Sequence, residues 1–414
     1  MKVLYYLFIQ LYGLLIRMAS LFNNKAKEWV KGRSGWKQKL KDALRNNNSP
    51  RIWFHCASLG EFEQGRPVLE QLRKDFPNHF ILLSFFSPSG YEAKKNESMA
   101  DYVCYMPLDG PQTSKAFVNI LNPSLVFFVK YEFWFFYGKE LFRRKTSFYC
   151  LSAIFRPGQI YFKPWGKFFK KILTRYTHLF VQDQSSLELL YRNSIPSVTV
   201  SGDTRFDRVL EISSRNVSFP LIESFCKNNV CMVAGSTWSE DEKALASLLQ
   251  DHPSVKLIIA PHEINESRIR SIENRFSGKT KRYSSLEKDM DANCKVLIID
   301  SIGKLSLIYR YGKYTYVGGG FGKGVHNILE AAVYGKPVFF GPNHLKFKEA
   351  RDLKAMGGGI GIKNGSSLSS AFDILEKDES NYQVLSAKNR KYIEDRKGAT
   401  AILMNYLSMN YIGK

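Results

Sequence analysis

The chain is short of acid, and its metal-binding and disulfide-forming side chains are not paired. Its 38 Asp and Glu stand against 60 Lys and Arg, a formal charge of +22 over 414 residues. The six cysteines, at 56, 104, 150, 226, 231 and 294, are scattered and include no CxxC pair. That argues against a zinc site or a disulfide framework and for reduced thiols in a cytosolic setting. The seven histidines include no HExxH or comparable spacing, so no protein-bound metal and no cofactor is expected. No tandem repeat or low-complexity tract is present. A 44% hydrophobic and 14% aromatic composition excludes disorder, and the length suits two domains with separate cores.

The excess positive charge is concentrated. Residues 25–45 carry eight Lys/Arg against two acids, and residues 139–175 are similarly one-sided. Such stripes suit anionic partners: nucleic acid, anionic lipid headgroups or phosphorylated substrates. Residues 3–22 are mostly apolar and about long enough to cross a bilayer. Within them Tyr6, Gln10, Gly13, Arg17 and Ser20 recur at helical spacing, forming a polar stripe. The stripe favours a helix lying in the membrane interface, with a single span as the alternative. The basic run after it would hold the chain to the anionic cytoplasmic surface. A cleaved signal peptide fits poorly, because the charge follows the apolar stretch and no clear A-x-A site appears.

From Arg51 onward strand-like and helix-like segments alternate. IWFHCAS, FILLSFFS, SLVFFVK, TSFYCLSAIF and HLFVQDQ read as buried strands of a first series. After a linker around residues 211–219 a second series follows: NVCMVAGS, VKLIIAPH, KVLIID, TYVGGG and PVFFGP. This is the signature of two Rossmann-like α/β domains, expected to face a cleft, with ligands at the carboxyl ends of the strands. The boundaries expected are an anchor helix over 1–22, a first domain over 23–210 and a second over 211–414. The last helix is allowed to return to the first domain.

The densest signal is YTYVGGGFGKGVHNILEAAVYGKPVFFGP, residues 314–342. It reads as a strand, a glycine-rich turn, a helix starting near His326 and a second strand. Such a turn suits an anion, and Glu330 falls one helical turn after His326. Gly235-Ser236-Thr237-Trp238, Pro261-His262-Glu263 and Asp300-Ser301 end other strands of the same series. In the first series, Ser58-Leu59-Gly60-Glu61 opens a helix after IWFHCAS. A carboxylate there is a cap by position and a candidate general base by its place at a strand's end. Ser87-Pro88-Ser89-Gly90 forms a small-residue turn. Glu132 is an acid among aromatics that needs a hydrogen-bonding partner, a sugar or an arginine, or else forms a structural ion pair. Asp289-Met290-Asp291 is a DxD in a charged segment before a strand and is read as chance. The glycines at 318–324 are out of register with GxGxxG, which disfavours hydride chemistry.

With these residues the chain resembles the Kdo (3-deoxy-D-manno-octulosonic acid) transferases over nearly its full length. The matching stretches are the N-terminal apolar segment, ASLGEFEQGRPVLEQLR, SFFSPSG, VKYEFWF, VSGDTRFD, VAGSTWSEDE, DSIGKLSLIY and VGGGFGKGVHNILEAAVYGKPVFFGP. The resemblance implies a GT-B glycosyltransferase with CMP-Kdo as donor. It also implies an acceptor, the lipid A precursor (lipid IVA), at the cytoplasmic face of the inner membrane, in lipopolysaccharide core biosynthesis, without a DxD-bound metal. It places Glu61 as catalytic base, with Ser58 and Gly60 in its supporting turn. Ser87, Ser89, Gly90 and Glu132 fall on the acceptor side. Arg205, Ser236, Thr237, His262, Gly319, Gly320, His326, Asn327 and Glu330 fall on the donor side.

The chain departs from the family pattern at His262 and Glu263 (usually arginine and histidine), Lys304 (glutamate), Val325 (a second glycine) and Arg205 (lysine). The expectation is inverting transfer, with Glu61 deprotonating an acceptor hydroxyl. Turn N–H groups at 235–237 and 318–326, and Arg205, are expected to meet the charge on CMP. A UDP-sugar transferase of the same fold is the alternative. A nucleic-acid-binding protein is disfavoured, because no recognition helix or RNP-like aromatic motif accompanies the charge.

Overall fold

The structure, a computed structural model, describes residues 1–286 and 293–412, so Asp289 and Asp291 lie outside the described residues. Two compact units emerge: Met1–Arg208 together with Lys397–Lys414, and Val209–Arg396. The first holds β1 (Arg51–Cys56), β2 (Phe80–Phe85), β3 (Tyr102–Tyr105), β4 (Leu125–Val129), β5 (Ser147–Ala153), β6 (His178–Val181) and β7 (Val198–Val200). The second holds β8 (Cys231–Thr237), β9 (Lys256–Pro261), β10 (Thr280–Arg282), β11 (Val296–Ile298), β12 (Tyr314–Val317), β13 (Val338–Phe340) and β14 (Gly359–Gly361). Each set forms one parallel sheet, in the orders β3-β2-β1-β4-β5-β6-β7 and β10-β11-β9-β8-β12-β13-β14.

Helices cover both faces of each sheet, so the central strands are continuous apolar runs without an alternating polar side. Every residue of β2 and β4 is buried. The short strands β3, β7, β10 and β14 gave no such run. They lie at or near the sheet edges, where three or four residues with one half-exposed side suffice. The expected linker over 211–219 is partly helical, because Thr204–Ser214 continues through it before Pro220 opens the next helix. The second unit ends at Arg396 instead of 414. Beyond it the helix Ala399–Leu407 buries Leu403 and Leu407 among Phe76 and Phe180 of the first unit's core. Asp207 fastens its start, accepting the Gly398 and Thr400 N–H groups at 2.6 and 2.7 Å.

The N-terminal helix, Lys2–Ala19, lies on the first unit with its sides assigned by packing. Tyr6 meets Phe136, Ile9 is buried, and a side chain at Gly13 would strike Leu108. Gln10 and Arg17 line a polar recess of about 330 Å³ with Arg33 and Trp36. The stripe read as polar therefore turns largely onto the protein. The opposite side leaves Val3, Leu7, Phe8, Leu11, Leu15 and Met18 more than half exposed.

One carboxylate ties this helix down. Asp109 is fully buried and accepts from the Tyr5 hydroxyl (2.8 Å), the Ser114 hydroxyl (2.8 Å) and the Phe136 and Tyr137 N–H groups (2.9 and 3.0 Å). Burial raises its pKa, and the four donors only partly counter that. Tyr5→Phe should cost about 1 kcal/mol, and Asp109→Asn about 2–4 kcal/mol, because an amide turns a donor toward groups that donate. Urea unfolding checks both. Wild-type stability for Asp109→Asn would remove this knot from the account.

Candidate functional site

In the first sheet the chain runs outward from β1 to β2 and β3, then returns to the other side of β1 as β4. Such a reversal, where neighbouring loops lead to opposite faces, is the usual place for a ligand crevice at the carboxyl edge of a parallel sheet. Ser58 and Glu61 follow β1, Ser87 and Ser89 follow β2, and Glu132 follows β4, so three adjacent strands bring the acceptor-side residues to one edge.

Glu61 sits half-buried in the first turn of Leu59–Asp75, the end at which a helix has unpaired N–H groups. The Ser58 hydroxyl donates to Glu61 Oε2, which leaves Oε1 for another partner. Gly60 is exposed beside them, and a side chain there would meet only Ser58 Oγ at 3.7 Å. The Ser87 N–H donates to the Ala57 carbonyl (2.8 Å), binding the second tip to the first, and Ser87 and Ser89 share a 2.9 Å hydroxyl contact. Gly90 is a packing residue: a side chain there would lie 2.4 Å from the Phe85 ring.

Among the described residues Glu132 is held by His55 and Trp134 and not by an arginine. Trp53 Nε1–H donates to Ser84 Oγ (2.7 Å), and Ser84 Oγ lies 2.8 Å from His55 Nδ1. His55 Nε2 lies 3.0 Å from Glu132 Oε2, which also accepts from Trp134 Nε1 at 2.7 Å. His55 Nδ1 also lies 3.1 Å from the Ser84 carbonyl, so both ring nitrogens have a partner able to accept a hydrogen bond. One carboxylate oxygen is thus locked from below. His55 was invisible to motif reading because it lies inside a strand, where an apolar neighbour on each side reads as core.

The second sheet repeats the reversal between β8 and β12. Gly235, Ser236 and Thr237 end β8, His262 follows β9, and Gly319 to Glu330 follow β12. A bulge falls between Gly235 and Thr237, with Ser236 in the left-handed region at φ +53°. Thr237 is fully buried and donates its hydroxyl to Glu242, so it supports the edge without lining it.

The rings of His262 and His326 stack at 4.3 Å, and Trp238 lies 4.9 Å from His262. Trp238 Nε1–H donates to His326 Nε2 (3.1 Å), which puts the ring proton on Nδ1. Burial first, and the His262 charge second, push the His326 pKa down to about 4.

The glycine block differs from the reading in two ways. Its helix begins at Leu329 and spans four residues, so His326 precedes it, and Asn327 Nδ2 donates to Glu330 Oε1 at 2.9 Å. Many of its N–H groups are already taken. Those of Gly318, Gly322, Gly324, Val325 and His326 donate to backbone carbonyls, and that of Gly319 to Asp241. Glycine is required here chiefly for backbone approach: at Gly319 φ is +88°, and a side chain on Gly320 would collide with Gly341 at 2.6 Å. Val325 does not restrict the turn. It is buried with an ordinary φ, while Gly324 takes φ +139°.

The organiser that sequence reading missed is Asp241. It is 1% exposed and accepts the N–H groups of Trp238 and Gly319 (both 2.9 Å) and the Tyr316 hydroxyl (2.7 Å). Burial raises its pKa against these donors. In sequence it passes for ordinary acidic decoration of a helix start.

Arg205, expected on the donor side, belongs to the first unit, and its guanidinium holds Asp203 at 2.6–2.9 Å. Burial raises the Asp203 pKa, and Arg205 and Gln64 more than reverse it. Of the other departures, Lys304 donates to Ser301 at 2.8 Å and Glu263 is exposed. Among the described residues no cluster of three His, Cys, Asp or Glu has metal-binding geometry.

Comparison with known proteins gives the family and the fold. The family described as 3-deoxy-D-manno-octulosonic-acid transferase (kdotransferase) matches residues 33–208. The 3-deoxy-D-manno-octulosonic acid transferase of Aquifex aeolicus is 30% identical over 337 residues, covering 79% of this chain and 86% of that protein. That of Haemophilus influenzae is 26% identical, covering 86% of each. Among solved structures, the UDP-GlcNAc 2-epimerase from Neisseria meningitidis bound to UDP-GlcNAc superposes with TM-score 0.61 at 17% identity, over 87% of this chain and 100% of that one. That last likeness is one of fold, the α/β GT-B class. Matched along most of its length by these relatives, the chain belongs to the family of 3-deoxy-D-manno-octulosonic acid transferases.

Proposed function

We propose that the chain transfers Kdo with inversion from CMP-Kdo to the lipid A precursor, lipid IVA, with Glu61 as general base. The observation that carries the reading is the position of Glu61. It stands in the first turn of its helix, accepts the Ser58 hydroxyl on Oε2 and lies beside the β1–β4 reversal. In the reaction the acceptor hydroxyl gives its proton to Glu61 as its oxygen bonds to the anomeric carbon. The bond from that carbon to the phosphate oxygen breaks, and CMP leaves as an anion needing little protonation. Glu132, steadied by His55 and Trp134, would accept hydrogen bonds from the acceptor sugar.

On the donor side Ser236, His326, Asn327 and Glu330 remain the candidates for contacting CMP, with His262 stacked on His326 as part of the wall. A neutral His326 presents Nδ1–H as a donor without charge. The exposed apolar side of the N-terminal helix and the basic residues after it support attachment to the cytoplasmic face of the inner membrane. No metal takes part in the proposed chemistry.

Glu61→Gln should lower kcat by about two to four orders of magnitude, while CMP affinity stays within about twofold. Single-turnover assays with CMP-Kdo and the lipid A precursor, alongside CMP and UDP titrations, test this. Near-normal turnover would remove Glu61 from the role, and preference for UDP would replace the donor.

The His326 shift predicts its own pH signature. A folded pKa near 4 lies below the usual 6.5, so the unfolded chain binds the extra proton first. Stability linked to this group is complete above about pH 6.5 and declines as pH falls toward 4. The His326 ring signals followed by NMR should titrate near pH 4, and a midpoint near 6.5 would contradict the partly buried, indole-bonded geometry.

A further inference from the structure

A cavity of about 540 Å³ lies along the N-terminal helix, and every residue lining it is apolar or aromatic. One wall is a single helical face, including Leu4 and Phe8 at i, i+4 spacing. The other comprises Phe86, Phe133, Trp134 and Phe169, with Phe86 and Trp134 stacked at 5.0 Å. We propose that this groove holds one acyl chain of the lipid acceptor while its sugar is at Glu61 and Glu132. The inference rests on the acceptor being a lipid, as proposed above.

Three observations select that occupant. First, the groove starts at the acceptor-side residues: Tyr131, Phe133 and Trp134 flank Glu132, and Phe86 directly precedes Ser87. A molecule with a polar head at those groups and an apolar tail fits this arrangement. Second, the other end opens on exposed apolar surface, since Leu4 and Phe8, 62% and 65% exposed, belong both to the groove and to the outward side of the helix. A chain could pass from a bilayer into the groove without crossing water. Third, the segment supplying Tyr161 and Phe169 also carries Lys163, Lys167, Lys170 and Lys171, with Trp165 69% exposed among them. Cations beside an apolar slot match the phosphates of an acidic glycolipid. The volume falls within the range of pockets that enclose a small ligand, about 300–1,000 Å³.

The test uses the full-length protein with monomeric acceptor analogues of increasing acyl length. For the wild type, KM should fall about fourfold per methylene until the groove is filled, then level off. Phe8→Glu should flatten this dependence and leave turnover of a fully deacylated analogue unchanged. Leu15→Glu, on the same exposed stripe but outside the lining, should keep the wild-type slope. Equal slopes in wild type and Phe8→Glu would overturn the groove, as would a Leu15→Glu slope as flat as that of Phe8→Glu. The latter result would assign the apolar dependence to general membrane adhesion.

A readout independent of transfer is quenching of Trp134 fluorescence by a fatty acid brominated mid-chain. It should be saturable in the wild type and absent in both Trp134→Phe and Phe8→Glu. Failure of transfer to every acceptor with quenching retained would refute the lipid-acceptor reaction while keeping the groove. Absence of saturable quenching in an active enzyme would refute the groove alone.

Discussion

A parallel sheet built by right-handed crossovers must reverse its direction of growth if strands are to be added on both sides of the first one. At that reversal neighbouring loops lead to opposite faces, and nothing in the backbone fills the space between them. Both units meet this constraint beside their first strand, at β1–β4 and at β8–β12. The groups proposed for chemistry, Glu61 with Glu132 in one unit and Ser236 with His326 in the other, all stand at or just beyond the carboxyl ends of those strands. The rest of each unit holds these tips in place.

That holding is done largely by buried acids, which gives the shortage of Asp and Glu a structural sense. Asp109 gathers the N-terminal helix and the starts of two others, and Asp241 joins the β8 tip to the glycine turn after β12. Asp203 binds Gln64 of the Glu61 helix at 2.8 Å and Arg205 behind it. Each carboxylate is desolvated, a cost met by several donors at once. Basic residues remain in excess over acids, a balance suited to anionic partners.

Much of this was legible in the chain. Continuous apolar runs such as FILLSF and LVFFV identify strands buried on both faces, and the order of elements implies parallel sheets. The edge strands were not legible, because three residues such as Thr280–Arg282 carry too little pattern to separate from loop. Local spacing also misled at His326, where i to i+4 from a presumed helix start placed His326 and Glu330 on one face. The carbonyl of Gly318 captures the His326 N–H and delays the helix to Leu329. Thr237 matched a motif yet faces inward, to Glu242, and Arg205 is paired with Asp203, distinctions that no one-dimensional pattern contains.

The sequence by itself determined the class of fold, the polar tips of the central strands, the apolar N-terminal helix and the family resemblance. These follow from hydrophobic periodicity, glycine and charge, which are properties of neighbours along the chain. Only the tertiary structure decided which polar groups remain available and which are already bonded. It also decided which side of the N-terminal helix is covered, and that aromatics drawn from residues 1–12, 86, 131–134 and 161–169 close around one apolar groove. Those outcomes depend on contacts between distant residues, where burial and hydrogen-bond competition act.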